Sequence, residues 1–214
     1  MTSRLGLYNR ALRQLGERTL ANLSENTEPR RALDAAWDDG FLRYCLEQGQ
    51  WNFAIRTLEL TSSPDIAPDF GYRLAFDVPV DWVRTVGLAA DEYFTAPMTQ
   101  IAQEGEYWYA DQEPIFLRYI SDDAAYGGDL SMWPETFTQF AAAHLAEQVV
   151  GALTASESKA ERLRRDVRRL LTDARSKDAL NESAVFLPIG GWTRARRGSS
   201  ASHADRGRRS DLTG

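Results

Sequence analysis

Two histidines and one cysteine are the only residues in these 214 whose ordinary chemistry suits nucleophilic or imidazole catalysis near neutral pH. Cys45 and His144 could form a thiolate–imidazole pair only if the fold joined them. Cys45, however, falls on an apolar helical stripe, where a free thiol behaves as a small hydrophobe. His144 lies within "AAAHLAEQ" and reads as a half-buried or surface helix histidine. His203 sits in a polar C-terminal stretch without fixed partners. Metal-ligand spacings of the His-x₃-His, Cys-x₂-Cys or calcium-loop kind do not occur in the sequence.

The charged clusters have structural readings too. Glu104, Glu106, Asp111 and Glu113 suit a solvated hairpin edge that deters edge-to-edge pairing. Asp122-Asp123 reads as a turn. Gly127-Gly128 and Gly190-Gly191 lack the strand-to-helix setting of a phosphate loop. In "ERLRRDVRRLLTDAR", Arg162, Arg165 and Arg169 share one helix face, and Arg164 and Arg168 another. Glu161 can pair with Arg165, and Asp166 with Arg169, which predicts a salt-laced exposed face. The expectation is a protein that is not an enzyme, with no cofactor and no metal.

The elements that would carry these residues change period along the chain. Leu5, Tyr8, Leu12 and Leu15 predict a first helix, capped by Thr2 or Ser3 and stopped by Gly16. Thr27 and Pro29 open a second, whose stripe is Leu33, Trp37, Phe41, Tyr44 and Cys45. Gly40 is expected to weaken that helix slightly, and Gly49 to end it. From Trp51 onward the pattern alternates. "WNFAIRTLEL" and "GYRLAFDVPVDWVRTVGL" read as strands, with Pro79 marking an edge, bend or strand end. Residues 92–120 supply about three more, two of them centred on Tyr107–Trp108–Tyr109 and Ile115–Phe116–Leu117. Helical spacing returns with Trp133, Phe137, Phe140, Ala141, Leu145, Val149 and Leu153. It continues after a short connection through Leu163, Val167, Leu170, Leu171 and Ala174. None of the four helices stands alone in water. The expected fold is therefore α+β. N- and C-terminal helix pairs form a helical bundle (1–50 and 131–180), with a small antiparallel β domain inserted at 51–130 and an extended tail at 181–214.

Composition adds a charge asymmetry. Between residues 190 and 214, six Arg against two Asp give +4, which leaves −10 for the rest of a chain whose net charge is −6. An acidic body with a basic tail suggests an interaction arm. Its apolar anchors would be Phe186, Leu187, Ile189 and Trp192. Its ionic ones would be Arg194, Arg196, Arg197, Arg206, Arg208 and Arg209. A lone cysteine allows no disulfide within one chain and fits a reducing cytoplasm. "MTSRLGLYNRALRQLG" lacks the apolar core of a signal peptide, and no run approaches the ~18 apolar residues of a membrane span. The chain is expected to be soluble and made in the cytoplasm.

Several short motifs then align with a family. "LYNRALRQLGERTLANLSENTEPRRALDAAWDDGFLRYCLEQGQWNFA" resembles the N-terminus of phage head-to-tail adaptors of the tail tubular protein A type. Leu15, Gly16 and Glu17, then Gly49, Trp51, Asn52 and Phe53, carry that likeness. Tyr72-Arg73-Leu74 and Val78-Pro79-x-Asp81-Trp82-Val83-Arg84-Thr85-Val86 look like the family's strand pair, with Trp82-Val83 departing mildly from the usual aliphatic residues. "EPIFLRYISD" and "WPETFTQFAAAHLAEQVVGALTAS" are similar to its later strand and third helix. The likeness covers about residues 5–180, and the tail matches no motif.

The resemblance implies a structural virion protein that is a helical bundle with an inserted β domain. It implies a homo-oligomeric ring, usually a dodecamer, below the portal protein at the head–tail interface. Such a ring continues the channel for genomic DNA, without sequence-specific binding, and presents a platform to the next tail or nozzle protein. Trp82, Tyr107, Trp108 and Tyr109 of the β module would then dock neighbouring subunits or the tail, and the C-terminal arm would reach the portal. The alternatives are another tail-completion protein of the virion, or a nucleic-acid-binding protein acting through its Arg residues.

Overall fold

The first helix is capped from within its own sequence. In the computed structural model, which describes residues 2–68, 71–154 and 156–181, Ser3 is extended and its Oγ accepts the Gly6 N–H at 3.1 Å. Helix α1 (Arg4–Leu15) ends at Gly16, which adopts φ 75°. There the Gly16 N–H bonds to the Arg13 carbonyl and the Glu17 N–H returns to that of Leu12, at 3.1 and 3.0 Å. This paired closure needs a left-handed residue, which is why glycine stands there.

Helix α2 (Glu28–Ala36) follows Thr27 and carries Pro29 in its first turn, although the Thr27 hydroxyl is buried without a hydrogen bond. The continuous second helix expected from the spacing is broken. A π-type turn, Trp37–Phe41, contains Asp39 at ψ 25° and Gly40 at φ 85°, and only then does α3 (Leu42–Glu47) begin. Gly40 therefore does more than weaken a helix, since it takes a conformation closed to most side chains. Phe41 and Cys45 beyond the break are fully buried.

Trp51 fills the corner where helices give way to strands. It is 1% exposed, and its indole N–H donates to the Cys45 carbonyl at 3.2 Å. A Cβ on Gly49 would lie 2.8 Å from that indole, so glycine is required two residues before Trp51. A 3₁₀ turn, Asn52–Ala54, delays the strand expected from Trp51 until β1 (Ile55–Leu60). The other strands are β2 (Leu74–Asp77), β3 (Trp82–Ala89), β4 (Ala102–Glu104), β5 (Tyr107–Ala110) and β6 (Ile115–Ser121). They form two antiparallel three-stranded sheets, ordered β1-β6-β3 and β2-β5-β4. Helices α4 (Glu135–Thr154) and α5 (Glu157–Asn181) complete a mixed α+β fold. Residues 1–181 form one compact unit.

The first sheet serves two cores, because strand side chains alternate between faces. Val83 and Ile120 join Leu7, Leu12, Phe41, Trp51, Phe137 and other helical residues in the larger core. Ile115, Leu117 and Tyr119 of β6 point the other way and meet Phe76, Trp108 and Ala110 of the second sheet. The strands therefore share a core with the helices. Helix α4 packs against α1, α2 and α5 and is buried on nearly every side along its middle. The C-terminus of α1 is held from α5 by Lys159 Nζ and Arg162 Nη2, which donate to the Leu15 and Gln14 carbonyls at 2.8 and 3.1 Å.

Candidate interaction surfaces

The sequence expectation for Cys45 and His144 can be tested atom by atom. Cys45 is fully buried, and burial pushes its thiol well above the ordinary value, away from the reactive thiolate. His144 is 8% exposed and stacks on Tyr44 with ring centroids 4.5 Å apart, near Phe41 and Phe140. Its Nδ1 is 3.4 Å from Glu147 and its Nε2 is 3.2 Å from Gln148. Both partners come from its own helix, three and four residues on, so helical spacing and no convergence of elements explains them. Burial lowers the imidazole pKa against an opposing pull from Glu147. The described residues contain no cluster of three or more His, Cys, Asp or Glu able to hold a metal ion. His203 lies outside them.

The carboxylates expected at a hairpin edge are exposed, and two take on defined work. Glu113 accepts the backbone and side-chain donors of Ser62 at 2.7 and 2.8 Å, and Asp111 accepts the Arg73 N–H at 2.9 Å. A more heavily bonded carboxylate is Asp81, in the turn before β3. It accepts Arg56 Nη1 at 2.9 Å, the Tyr119 hydroxyl at 3.0 and 3.1 Å, and the Ser121 hydroxyl. Burial by itself would raise its pKa. The hydrogen bonds from Ser121, Arg56 and Tyr119 outweigh that and hold it below the usual carboxylate value. The same burial, with the Asp81 contact, drives the Tyr119 phenol upward. Asp81 thus ties β1, β3 and β6 together.

The four β-module residues expected to dock partners divide into two kinds. Trp108 is 2% exposed and meets Trp82 edge to face, centroids 6.1 Å apart and planes at 80°. Trp108 therefore fills the core between the sheets and has no surface to offer, which corrects its expected docking role. Trp82 packs against the same core and is half-buried, its indole N–H donating to Thr85 at 3.0 Å. Tyr107 and Tyr109 alternate to the opposite face of β5 and are half-buried. Across the strands they pair with Asp77, Glu104, Ala75 and Ala102, so the outer face of this sheet is aromatic with an acidic end. Spacing alone could separate Trp108 from its tyrosine neighbours, but not say which of the two faces was covered.

Other exposed apolar residues escaped the sequence reading. Val80 is 100% exposed at the tip of the β2–β3 turn, and Tyr93 and Met132 also stand open, while Tyr44, expected on the apolar stripe of the second helix, is 46% exposed. Val80, between Pro79 and Asp81, had a legible signal, since an apolar residue in turn chemistry has no core to face. On α5, Arg169 lies 3.5 Å from Asp166 and 3.6 Å from Asp173, and Arg164 lies 3.8 Å from Glu147. The expected Glu161–Arg165 pair is not made, and among the described residues Arg165 and Arg168 have no side-chain partner. Between α2 and α4 runs an open groove of about 620 Å³, with Ala35, Ala36, Val149 and Ala152 among its lining and Asp39 and Gln148 at its rim. The expected anchors of the arm, Phe186, Leu187, Ile189, Trp192, Arg194, Arg196, Arg197, Arg206, Arg208 and Arg209, lie outside the described residues. No described helix is long and apolar enough to cross a membrane.

No protein-family model matches the chain, and no curated protein matches it.

Proposed function

We propose that this protein is a structural head-to-tail connector of a tailed bacteriophage. It is one protomer of a ring that sits below the portal, joins it to the next tail protein and continues the DNA channel. On this reading α1, α2, α4 and α5 are the helical bundle of the family it resembles, built from N- and C-terminal pairs. The strands are the inserted β domain, and residues 181–214 are the arm that reaches the portal. The site of action is the virion, and the reaction chemistry is none.

The observation that carries the reading is the work done by the residues behind the resemblance. Gly16 closes α1 with a left-handed turn, Gly49 admits the Trp51 corner, and Asp81 knots three strands. Apolar and aromatic side chains left open at Tyr44, Val80, Tyr93 and Met132 suit a protomer that must bond on several sides. The acidic body suits a channel wall, because like charge lets DNA pass where a basic lining would grip its phosphates.

Electron microscopy of the purified protein, mixed with a portal protein from a tailed bacteriophage, tests the reading. Rings capping the portal are expected. A protein that stays monomeric in that mixture removes the proposal. Deleting residues 190–214 should leave the protomer folded and abolish portal capture, and unimpaired capture would take the arm out of the account. One observation favours a second reading, binding of nucleic acid: Arg165 and Arg168 on α5 have no side-chain partner among the described residues. That reading requires duplex binding that weakens steeply from low to moderate salt.

A further inference from the structure

Charge is divided unevenly between the helices. Residues 1–156 hold 11 Arg against 23 Asp and Glu, a balance of −12. Residues 157–181, the span of α5, hold eight Arg and Lys against five Asp and Glu, a balance of +3. On α5, Leu163 and Ala174 face the core, and Arg165 and Arg168 project from the opposite, exposed side. Two cations that have no side-chain partner among the described residues can meet carboxylates of another copy.

The α2–α4 groove has the complementary character. Ala35, Ala36 and Ala152 carry no bulk, so a second helix can come close and the apolar stems of its arginines can lie over them. Asp39 stands exposed at the rim. Its neighbour Asp38 has a side chain 75% exposed and only a 3.7 Å approach from Arg4. The π-type turn at Gly40 sets both carboxylates at the end of α2.

We infer that the Arg165–Arg168 face of α5 docks onto the α2–α4 groove of a second copy of this chain, against Asp38 and Asp39. The inference rests on the ring reading and specifies the contact that builds the ring. The two faces lie on different sides of α4. Glu147 meets Arg164 of α5, whereas Gln148, Val149 and Ala152 line the groove, and these directions are roughly 100° to 160° apart around the helix. An unreciprocated contact between different faces leaves one of each free on every dimer, so copies add head to tail, as a ring where the rotation closes and as a filament where it does not. A reciprocal twofold pair would use up both faces and stop at a dimer. Duplex DNA is a poorer occupant of the Arg face, because residues 1–156 beside it repel phosphate.

Charge reversal in both directions tests this. Arg165→Glu/Arg168→Glu and Asp38→Lys/Asp39→Lys alter exposed side chains, so circular dichroism should report an unchanged fold. Sedimentation velocity and electron microscopy are run on each protein, with and without a portal protein from a tailed bacteriophage, at low and moderate salt. The wild type should associate and weaken with salt. Each double variant alone should lose association, and the two mixed should regain it in complexes containing both. If both variants form rings as the wild type does, other faces join the copies: the ring reading survives and this contact is wrong. If the wild type forms no rings under any of these conditions, the ring reading fails and this inference with it. If Arg165→Glu/Arg168→Glu still assembles but loses salt-sensitive retention of a DNA duplex, the face belongs to nucleic acid and the inference is overturned.

Discussion

Asn52 and Asp178 clasp each other across 126 residues of chain. The Asp178 carboxylate accepts the Asn52 backbone N–H at 3.0 Å, and the Asn52 amide donates to the Asp178 carbonyl at 2.9 Å. The contact fastens the last turns of α5 to the 3₁₀ turn that feeds β1, and Asp178 is only 8% exposed. The end of one helix and the entrance of the sheet are therefore held as one piece.

Asp178→Ala should cost about 1–3 kcal/mol, because it removes a charged acceptor of the Asn52 N–H from a largely buried position. Hydrogen exchange would show faster opening confined to the C-terminal end of α5 and to residues 52–55. Exchange at the wild-type rate there would mean the clasp contributes nothing.

Asp81 predicts acid sensitivity. Its folded pKa is depressed, so its stabilisation is complete above the ordinary value of 3.8 and is lost as pH falls from there through the folded pKa. Urea titrations between neutral pH and strong acid should show that slope, and Asp81→Asn should flatten it. The same substitution should cost about 1.5–3 kcal/mol at neutral pH, through weakened bonds to Arg56, Tyr119 and Ser121. An unchanged acid slope would show that other carboxylates set it.

His144 acts in a higher window. A buried imidazole with a lowered pKa favours the neutral form, so the unfolded chain protonates first as pH drops below 6.5. Stability should fall from that point and level off once the folded imidazole also protonates. Glu147 opposes the shift and limits its size. Replacing His144 with Phe should keep the stack with Tyr44 and abolish this part of the pH dependence, read from the urea midpoint.

Gly127 has no room for a side chain. A Cβ there would lie 2.4 Å from the Ser121 carbonyl oxygen and 2.8 Å from Leu46, and the carbonyl is backbone that cannot rotate away. Gly127→Ala should destabilise by about 1–3 kcal/mol and lower the thermal midpoint. A midpoint equal to wild type would mean the loop after β6 can shift.

Trp108→Ala tests whether strands and helices unfold together. Emptying an indole site between the sheets should cost about 3–5 kcal/mol. Because β6 also buries Ile120 against the helices, helical ellipticity and tertiary fluorescence should be lost in one transition. Two separate transitions would mean the strands fold as a unit of their own.

Local signals decided much of the architecture. Ser3, Gly16 and Gly49 announced where helices start and stop because capping and left-handed turns depend on residues within one turn of chain. The alternation in β6 and the stripes of α4 and α5 marked the secondary structure for the same reason. The break at Gly40 was not legible, since a glycine in a helical pattern can weaken it or reverse it, and packing of Phe41 and Cys45 selects which. Neither was the fate of Trp108: period two says that Trp108 and Tyr107 face opposite ways, and only the second sheet decides which way is inside. Asp81 acquired its partners from β1 and β6, 25 to 40 residues away, and Asn52 found Asp178 near the far end of the described chain. Caps and periodicity are properties of neighbouring residues and survive in a string of letters. Burial, carboxylate pKa and the separation of the α5 arginine face from the α2–α4 groove arise from distances that exist only once the chain has closed on itself.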